Sequence, residues 1–327
     1  MSSTPGTTAV RGRTADPSPV SLTASSPRWG EKAIVGWLLL CAAFSVLVTA
    51  GIVLSLIPPT VEFFRRVAPG DFFSTDFWAP TNAGNPSFGV LRLVVGTLNV
   101  TFWALLIAIP AGLGAAIYLS EYASSRARKV LKPILEVLEG VPTVAYGFFA
   151  MTFVTPLLRD LWPTFLPGKL GEPPGIFSAA SAGVVMGVMI IPTVASISQD
   201  AMSAVPSGLR QAAYGLGSTR MQVATRVVVP AALSGIVASF VLGISRAIGE
   251  TMIVLLAAGA SANLTFWPND SVLTMTTFIA RTSTGDIGHG TTTYYTIFAV
   301  GALLFLMTFV MNMISIALVR KFRETYE

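Results

Sequence analysis

Arg246 and Glu250 stand four residues apart within an otherwise apolar stretch of the sequence. A charge near the centre of a bilayer costs at least about 2.5 kcal/mol on insertion scales, so such residues are rare and face the interior of a helix bundle. Residues four apart on a helix share one face. The spacing therefore predicts a charged pair one helical turn apart, flanked by Ser245 and Thr251.

Such a pair can recognise an anion. A guanidinium offers a bidentate fork that matches the oxygens of phosphate. Glu250 could orient Arg246 and accept a hydrogen bond from the OH of a protonated oxyanion, which fully deprotonated sulfate lacks. This chemistry gives a physical route to preferring phosphate. The alternative is a self-neutralising pair that only locks helix packing.

Two further carboxylates, Glu136 and Glu139, lie three residues apart near the inner end of a predicted span and share a helical face. We expect Glu136 to pair with Lys132 or Arg220 at the membrane interface. Glu139 could instead line an inner vestibule, where a negative group helps to expel an anion. A proline at the next turn, Pro142, could break the helix there and form the edge of a pocket.

The elements that must position these residues are membrane helices. Hydrophobic residues make up 53% of the chain and charged residues only 11%, against roughly 25% charged in a soluble domain. The apolar residues form long blocks, which are typical of membrane spans. The predicted class is therefore an all-α membrane protein with six transmembrane helices. The expected spans cover residues 33–57, 93–119, 134–158, 178–198, 233–259 and 293–319.

Basic residues predict the orientation. With the N-terminus inside, 14 of the 21 Lys and Arg residues fall in inside segments and 6 in outside ones. This bias favours cytoplasmic N- and C-termini in a multi-pass protein of the cytoplasmic (inner) membrane. Residues 1–30 are rich in Ser, Thr, Pro and Gly and predict a disordered cytoplasmic tail, which leaves 31–327 as one six-helix transmembrane domain.

The first outside loop, residues 58–92, carries several aromatic side chains that predict either an aromatic belt at the membrane interface or a docking site for an external partner. They are Phe63, Phe64, Phe72, Phe73, Phe77 and Trp78. The single cysteine, Cys41, excludes a disulfide framework, and no Cys/His cluster predicts a metal site. The only histidine, His289, has no catalytic arrangement around it and is expected at the surface.

The polar segment between the fourth and fifth spans, residues 199–232, predicts a helix–glycine–helix module at the membrane surface. Pro206 and Ser207 begin a short helix, Gly217 ends it, and an amphipathic helix follows up to Pro230. Such a module is suited to a groove of another protein. The alternative is an ordinary amphipathic connector.

This segment resembles the EAA loop of ABC-importer permeases. It reads Gln-Ala-Ala at 211–213, three residues, Gly217, nine residues and Val-x-Val-Pro at 227–230, where the family has Glu-Ala-Ala, Gly and Ile-x-Leu-Pro at the same spacing. Gln211 removes the salt bridge that a glutamate would offer there. The resemblance implies that residues 206–217 form a coupling helix held by an ATPase subunit. The implied ATPase-coupling residues are Pro206, Arg210, Gln211, Ala212, Ala213, Gly217 and Pro230.

The chain lacks the P-loop that would hydrolyse ATP. The only Gly-Lys pair, Gly168-Lys169, is followed by Leu170 rather than Ser or Thr. We therefore expect a transport subunit without catalytic residues, which is not an enzyme and holds no cofactor. ATP would be used by a separate partner subunit.

Segments 71–121, 136–147 and 243–252 are similar to the PstC family of phosphate-importer permeases, and the similarity covers most of residues 33–323. It implies a type I ABC-importer (MetI-like) permease fold that translocates inorganic phosphate. The long first outside loop favours the PstC family over the related PstA family. Glu139 departs from the small residue expected at its position. The implied substrate pathway comprises Arg246, Glu250, Ser245, Thr251 and Glu139.

The resemblance also implies partners: a second, PstA-like permease subunit, a PstB-like ATPase dimer, a PstS-like extracytoplasmic phosphate-binding protein and the lipid bilayer. No nucleic acid is expected. The alternatives are a permease half, PstA-like or other, for another solute such as sulfate or molybdate, a membrane-embedded enzyme and an ion-driven transporter. The enzyme would need clustered His, Asp or Ser, and the ion-driven transporter would leave the coupling loop unexplained.

Overall fold

The computed structural model describes residues 29–82 and 84–321, and these residues are mainly helical. The helices are α1 (Trp29–Arg66), α2 (Pro69–Phe72), α3 (Leu91–Ile117), α4 (Ser125–Glu139), α5 (Thr143–Phe149), α6 (Thr155–Leu161), α7 (Ala179–Ser203), α8 (Ser207–Gly215), α9 (Arg220–Val223), α10 (Val229–Ala231), α11 (Leu233–Gly249), α12 (Met252–Ala257), α13 (Met275–Ser283) and α14 (Thr292–Lys321). π-helical turns at Tyr118–Tyr122, Ala150–Val154 and Ala224–Val228 extend or join them, and Gly168–Gly171 forms a 3₁₀ turn. Two short antiparallel strands, β1 (Trp78–Ala79) and β2 (Ser87–Phe88), pair Trp78 with Phe88.

The chain divides into two units, residues 1–53 and residues 54–327. The described part of the first unit is the beginning of α1, which carries the first predicted span. The predicted tail lies outside the described residues except for its last two positions, which already belong to α1. The second unit contains all the other elements.

Four of the described helices, α1, α3, α7 and α14, are long and apolar enough to cross a membrane. Two further spans result if each of two bent helix pairs crosses once, which gives the six spans that the sequence predicts. In one pair the chain turns by 88° between Ser125–Glu139 and Thr143–Leu161, and in the other by 73° between Arg220–Ala231 and Leu233–Gly249.

Two of the predicted spans are not continuous helices. The predicted third span, 134–158, is interrupted after Glu139, and Pro142 stands in extended conformation before α5. Proline disfavours a helical conformation at the residue before it, which explains the break. The predicted interruption at Gly140 and Pro142 is thus confirmed. The predicted fifth span, 233–259, ends as a helix at Gly249 and resumes as α12.

Helix α7 forms the centre of the second unit, since 72% of its most apolar stretch is buried. It packs on α3 through the Gly-x-x-x-Gly register of Gly183 and Gly187. A Cβ atom on Gly187 would lie 2.8 Å from the carbonyl oxygen of Ala104, and one on Gly183 would lie 2.8 Å from the Cβ of Trp103. Small residues at this contact let the two backbones approach closely, as expected for membrane helices.

The aromatic residues of the first outside loop are not all at the surface. Phe63, Phe72 and Trp78 are at most 5% exposed and pack edge-to-face with one another and with Phe278 of α13. The aromatic belt and the docking site that we predicted would both require exposed aromatic side chains. For Phe63, Phe72 and Trp78 these predictions are wrong. Their apolar rings instead close a core at this end of the second unit, which the spacing of aromatic residues in sequence does not indicate.

Lys169, the lysine of the only Gly-Lys pair, forms an ion pair. Its Nζ lies 2.7 Å from Oδ2 of Asp270, in the irregular segment that follows α12 outside the spans. Burial raises the pKa of Asp270, but hydrogen bonds from Lys169 and Thr265 and the charge of Lys169 outweigh it, so the pKa falls below its usual value. The contact ties the loop after α6 to the segment before α13.

Candidate functional site

Arg246 and Glu250 are not a pair on one helical face. Helix α11 ends at Gly249, and Glu250 has an extended backbone with ψ of 135°. The prediction of an i, i+4 ion pair is therefore wrong, because the turn that would bring the two side chains together is not helical. Among the described ion pairs, the partner of Arg246 comes from another element.

That partner is Glu139, the last residue of α4. Arg246 Nη1 donates to Glu139 Oε1 over 3.2 Å and to Thr193 Oγ1 over 2.8 Å, and the Thr193 hydroxyl donates to the same carboxylate oxygen over 2.8 Å. Thr193 belongs to α7 and is 3% exposed. The three side chains come from α4, α7 and α11. In sequence, Thr193 lies 54 residues after Glu139 and 53 residues before Arg246.

The guanidinium of Arg246 is only partly used by these contacts. Its side chain is 29% exposed, and within the described residues Nε and Nη2 have no hydrogen-bond partner. One edge of the fork is therefore open. A guanidinium with a free edge, held by a buried hydroxyl and a carboxylate, is suited to take an oxyanion.

Glu250 stabilises a helix end instead. Its Oε1 accepts hydrogen bonds from the backbone N–H groups of Met252 and Ile253 over 2.9 and 3.2 Å, and its carbonyl accepts from Thr276 Oγ1 over 2.7 Å. The residue is 9% exposed. A carboxylate at this position satisfies N–H groups that the first turn of α12 leaves free.

The two flanking polar residues also have structural partners. Ser245 Oγ donates to Oδ1 of Asn312 on α14 over 3.0 Å, and Thr251 Oγ1 donates to the Gly249 carbonyl over 3.3 Å. Sequence reasoning missed Thr193 and Asn312. Each of them is a polar residue inside an apolar span, and this feature could have identified them, since such side chains form hydrogen bonds between membrane helices.

The expected partner of Glu136 is also wrong. Lys132 Nζ pairs with Asp200 Oδ1 of α7 over 2.9 Å, and no ion pair of Glu136 occurs within the part of the chain that the structure describes. The Arg128 side chain, one turn before Lys132, donates to the carbonyls of Leu119 and Ser120. Helix α4 is thus anchored near its start to α7 and to the end of α3.

The polar segment after α7 has the predicted helix–glycine–helix form. Helix α8 begins directly after Pro206, and Gly217 follows it with a φ of +81°, a conformation that favours glycine. Thr219 and Gln222 then form a reciprocal capping box that starts α9. The fifth span proper begins shortly after Pro230, which lies in α10, as predicted.

This module exposes several large apolar side chains among its polar ones. Large hydrophobic side chains reach the surface on and after α8, and Leu216 is the most exposed at 87%. The others are Leu209, Tyr214 and Met221. Gln211 and Ala212 are also exposed, whereas Ala213 is partly buried against an internal cluster. Exposed apolar side chains grouped at one surface mark an interaction site.

Arg210 points the other way. Its Nη2 lies 3.1 Å from Glu121 Oε1 in the π-helical end of α3, and the guanidinium also donates to the carbonyls of Met202 and Val205 over 2.7 and 2.6 Å. The exposed fractions of the Arg210 and Glu121 side chains are 19% and 6%. Arg210 therefore fastens α8 to the ends of α3 and α7 rather than facing a partner.

Replacing Arg210 with glutamine is expected to loosen this attachment. It leaves the buried Glu121 carboxylate and two carbonyls without their donor, and breaking a buried pair costs about 3 kcal/mol. Limited proteolysis of the purified protein should then cut within 206–220 faster than in the unmodified chain. The exposed Arg220, which has no ion pair among the described residues, is the matched position: Arg220→Gln should leave the cleavage rate unchanged. Equal rates for both variants would contradict the role of Arg210.

The family comparison concerns most of these elements. Residues 108–324 match the family model described as binding-protein-dependent transport system inner membrane component. The chain belongs to this family. It is thus a multi-pass membrane protein and the permease subunit of an ABC importer, a transport component that is not itself an enzyme.

Named relatives extend over most of the permease. A probable ABC transporter permease protein, YqgH of Bacillus subtilis, is 34% identical over 271 residues, covering 82% of this chain and 84% of the relative. The phosphate transport system permease protein PstC of Haemophilus influenzae is 32% identical over 298 residues, covering 87% and 92%.

A solved structure shows the same fold. The crystal structure of a bacterial ABC transporter involved in the import of the acidic polysaccharide alginate contains a chain that superposes with a TM-score of 0.58, at 17% identity, over 91% of this chain and 100% of that one. This likeness confirms the type I, MetI-like permease fold.

Proposed function

We propose that this permease subunit moves inorganic phosphate across the cytoplasmic membrane into the cell. The observation that carries the proposal is Arg246, a membrane-embedded guanidinium with one free edge at the meeting point of α4, α7 and α11. The PstC relatives, named for phosphate transport, support the same substrate. A planar fork of N–H donors binds phosphate oxygens in bidentate fashion.

The break in the fifth span is part of this proposal. Non-helical backbone at membrane depth is tolerated where it lines a cavity or is buried in protein. Glu250 holds the break in place by capping α12, and this fixes where α11 ends, three residues beyond Arg246. Glu250 thus acts as a positioning residue for the pathway, with Thr251 beside it, while Ser245 orients α11 against α14.

Energy enters at the other end of the subunit. In the proposed complex, an ATPase dimer (PstB-like) holds α8 through the exposed side chains at Leu209, Tyr214, Leu216 and Met221. A buried connection through Arg210 and Glu121 joins α8 to α3. Movement of α8 is therefore transmitted to the spans rather than lost in a flexible loop. ATP is bound by the partner subunit, and this chain holds no cofactor.

The proposed complex has three further components. A second permease subunit (PstA-like) completes the pathway, and an extracytoplasmic phosphate-binding protein (PstS-like) delivers the substrate. The bilayer surrounds both permeases, with the N- and C-termini of this chain in the cytoplasm, in line with its distribution of Lys and Arg. The binding protein docks at the outer end of the spans and the ATPase at the inner end. Substrate delivery and ATP can therefore both shift the balance between an outward-facing and an inward-facing state of the permease.

Competitive uptake tests the substrate. Vesicles that hold the complete complex and its binding protein are loaded with ATP and given radiolabelled phosphate together with unlabelled arsenate, sulfate or molybdate. Arsenate, which shares the charge and the protonated oxygen of phosphate, should compete. A hundredfold excess of sulfate or molybdate should not. Uptake of labelled sulfate in place of phosphate would contradict the proposal.

A further inference from the structure

We infer that Glu139 is a resident substitute for the transported anion: its carboxylate occupies Arg246 when no substrate is bound, and the anion must displace it to be recognised. This inference rests on the proposed function and names the group that competes at its site. The sequence pairs Arg246 with Glu250, so only the tertiary contact reveals the competitor.

The geometry supports exchange because a carboxylate and a phosphate use the same donors. Arg246 Nη1 and the Thr193 hydroxyl both donate to Glu139, Nη1 over 3.2 Å to Oε1 and the hydroxyl over 2.8 Å to the same atom. A phosphate oxygen placed there would accept the same two hydrogen bonds. The remaining edge of the guanidinium would supply further donors, which Glu139 does not use.

The exposure of the Arg246–Glu139 ion pair is also consistent with a contact that breaks when an anion binds. The Arg246 and Glu139 side chains are 29% and 39% exposed, so the pair is open on one side and an incoming anion can reach it. The contact is nevertheless useful between transport cycles, since an unpaired guanidinium within a membrane is costly. Glu139 thus neutralises the empty site and also repels a bound anion when it returns.

The position of Glu139 links the competition between its carboxylate and the anion to α8, the helix that we propose the ATPase holds. It is the last residue of α4, directly before the 88° bend. Helix α4 is 15 residues, about 22 Å, long, and Lys132, two turns before Glu139, pairs with Asp200 near the end of α7. The coupling helix α8 follows that end after three residues. Since α4 also packs on α7, we expect a shift of α8 and α7 to move α4 and so to withdraw or return the carboxylate.

The test measures binding of radiolabelled inorganic phosphate, by equilibrium dialysis, to the complete permease–ATPase complex in lipid nanodiscs without binding protein. Glu139→Gln keeps the size of the side chain and removes the competing charge, so phosphate should bind about fivefold more tightly. Maximal ATP-driven uptake should fall, because release is slower, while KM does not rise. The gain must vanish in Glu139→Gln/Arg246→Gln. Glu136→Gln, on the same helix and without an ion pair in the described structure, is the matched control and should equal the unmodified protein.

Glu139→Asp provides a second variant that retains the charge. Its arm is one methylene shorter, so it should compete less well and bind phosphate more tightly than the unmodified protein, but less tightly than Glu139→Gln. If Glu139→Gln fails to assemble, Glu139→Asp by itself must still bind phosphate more tightly than the unmodified protein. The same dialysis is repeated with radiolabelled sulfate. A merely structural ion pair would produce no gain in the binding of either anion in either variant, and that result overturns the inference.

The outcomes separate this inference from the proposed function. If Arg246→Gln loses phosphate uptake but Glu139→Gln binds neither phosphate nor sulfate more tightly, the competitor role is wrong and the phosphate pathway stands. If Glu139→Gln gains sulfate binding and no phosphate binding, exchange at Arg246 stands and the substrate assignment is wrong.

Discussion

Replacing Arg246 with glutamine is expected to reduce phosphate uptake severely while the subunits still assemble. The subunit is expected to remain folded, because α11 keeps its contact with α14 through Ser245 and Asn312. Glutamine is two atoms shorter than arginine and does not reach Glu139 and Thr193 as Nη1 does. It loses the charged fork, and losing one partner of a close charge pair costs about 2–5 kcal/mol. Initial uptake in vesicles should therefore fall by about thirtyfold or more.

The control for this result is Arg159→Gln, a matched change at an exposed arginine that has no ion pair among the described residues. It should transport at the normal rate. Arg246→Lys keeps the charge but not the planar fork, and it should recover only part of the uptake. Normal uptake by Arg246→Gln at normal abundance would show that the ion pair with Glu139 is structural.

Replacing Leu216 with aspartate is expected to release the ATPase subunit. Leu216 is 87% exposed, so the substitution does not disturb the permease itself. In the proposed complex the side chain is buried by the partner, and a buried unpaired carboxylate is strongly unfavourable. The ATPase subunit should no longer co-purify with the permease, and the binding protein should no longer stimulate ATP hydrolysis.

Phe165→Asp is the matched control, since Phe165 is 85% exposed but lies in the loop after α6, on the predicted outer side. Co-purification of the ATPase should persist in that variant. Ala213 is a less informative position for the same test, because it packs against an internal cluster and a charge there would disturb α8 itself. Retention of the ATPase by Leu216→Asp would mean that another surface holds it.

Much of the organisation was predictable because a bilayer imposes it. Apolar runs of membrane length and the distribution of Lys and Arg predict the spans and an orientation, without knowledge of any tertiary contact. The helix–glycine–helix form of the coupling segment was also predictable, because Pro206 and Gly217 act on their own backbone. These features depend on residues that are close in sequence.

Contacts between distant residues were not predictable in the same way. Arg246 and Glu250 satisfy the helical spacing rule, but the rule assumes a continuous helix, and α11 ends between them. Arg210 belongs to the coupling motif, yet its charge is used inside the subunit, because Glu121 and two helix-end carbonyls lie within reach. A one-dimensional pattern does not indicate which face of a short helix is covered.

The sequence by itself determined the membrane spans, the helix–glycine–helix segment and an arginine embedded in an apolar stretch, because hydropathy, charge and turn residues act locally. The permease assignment followed from the resemblance of its motifs to a known family. Only the tertiary structure decided which carboxylate meets that arginine. Glu139 reaches Arg246 across 107 positions of sequence, while Glu250, four residues away, caps the next helix. The physical reason is the broken fifth span, which turns Glu250 away and leaves the guanidinium open to α4 and α7.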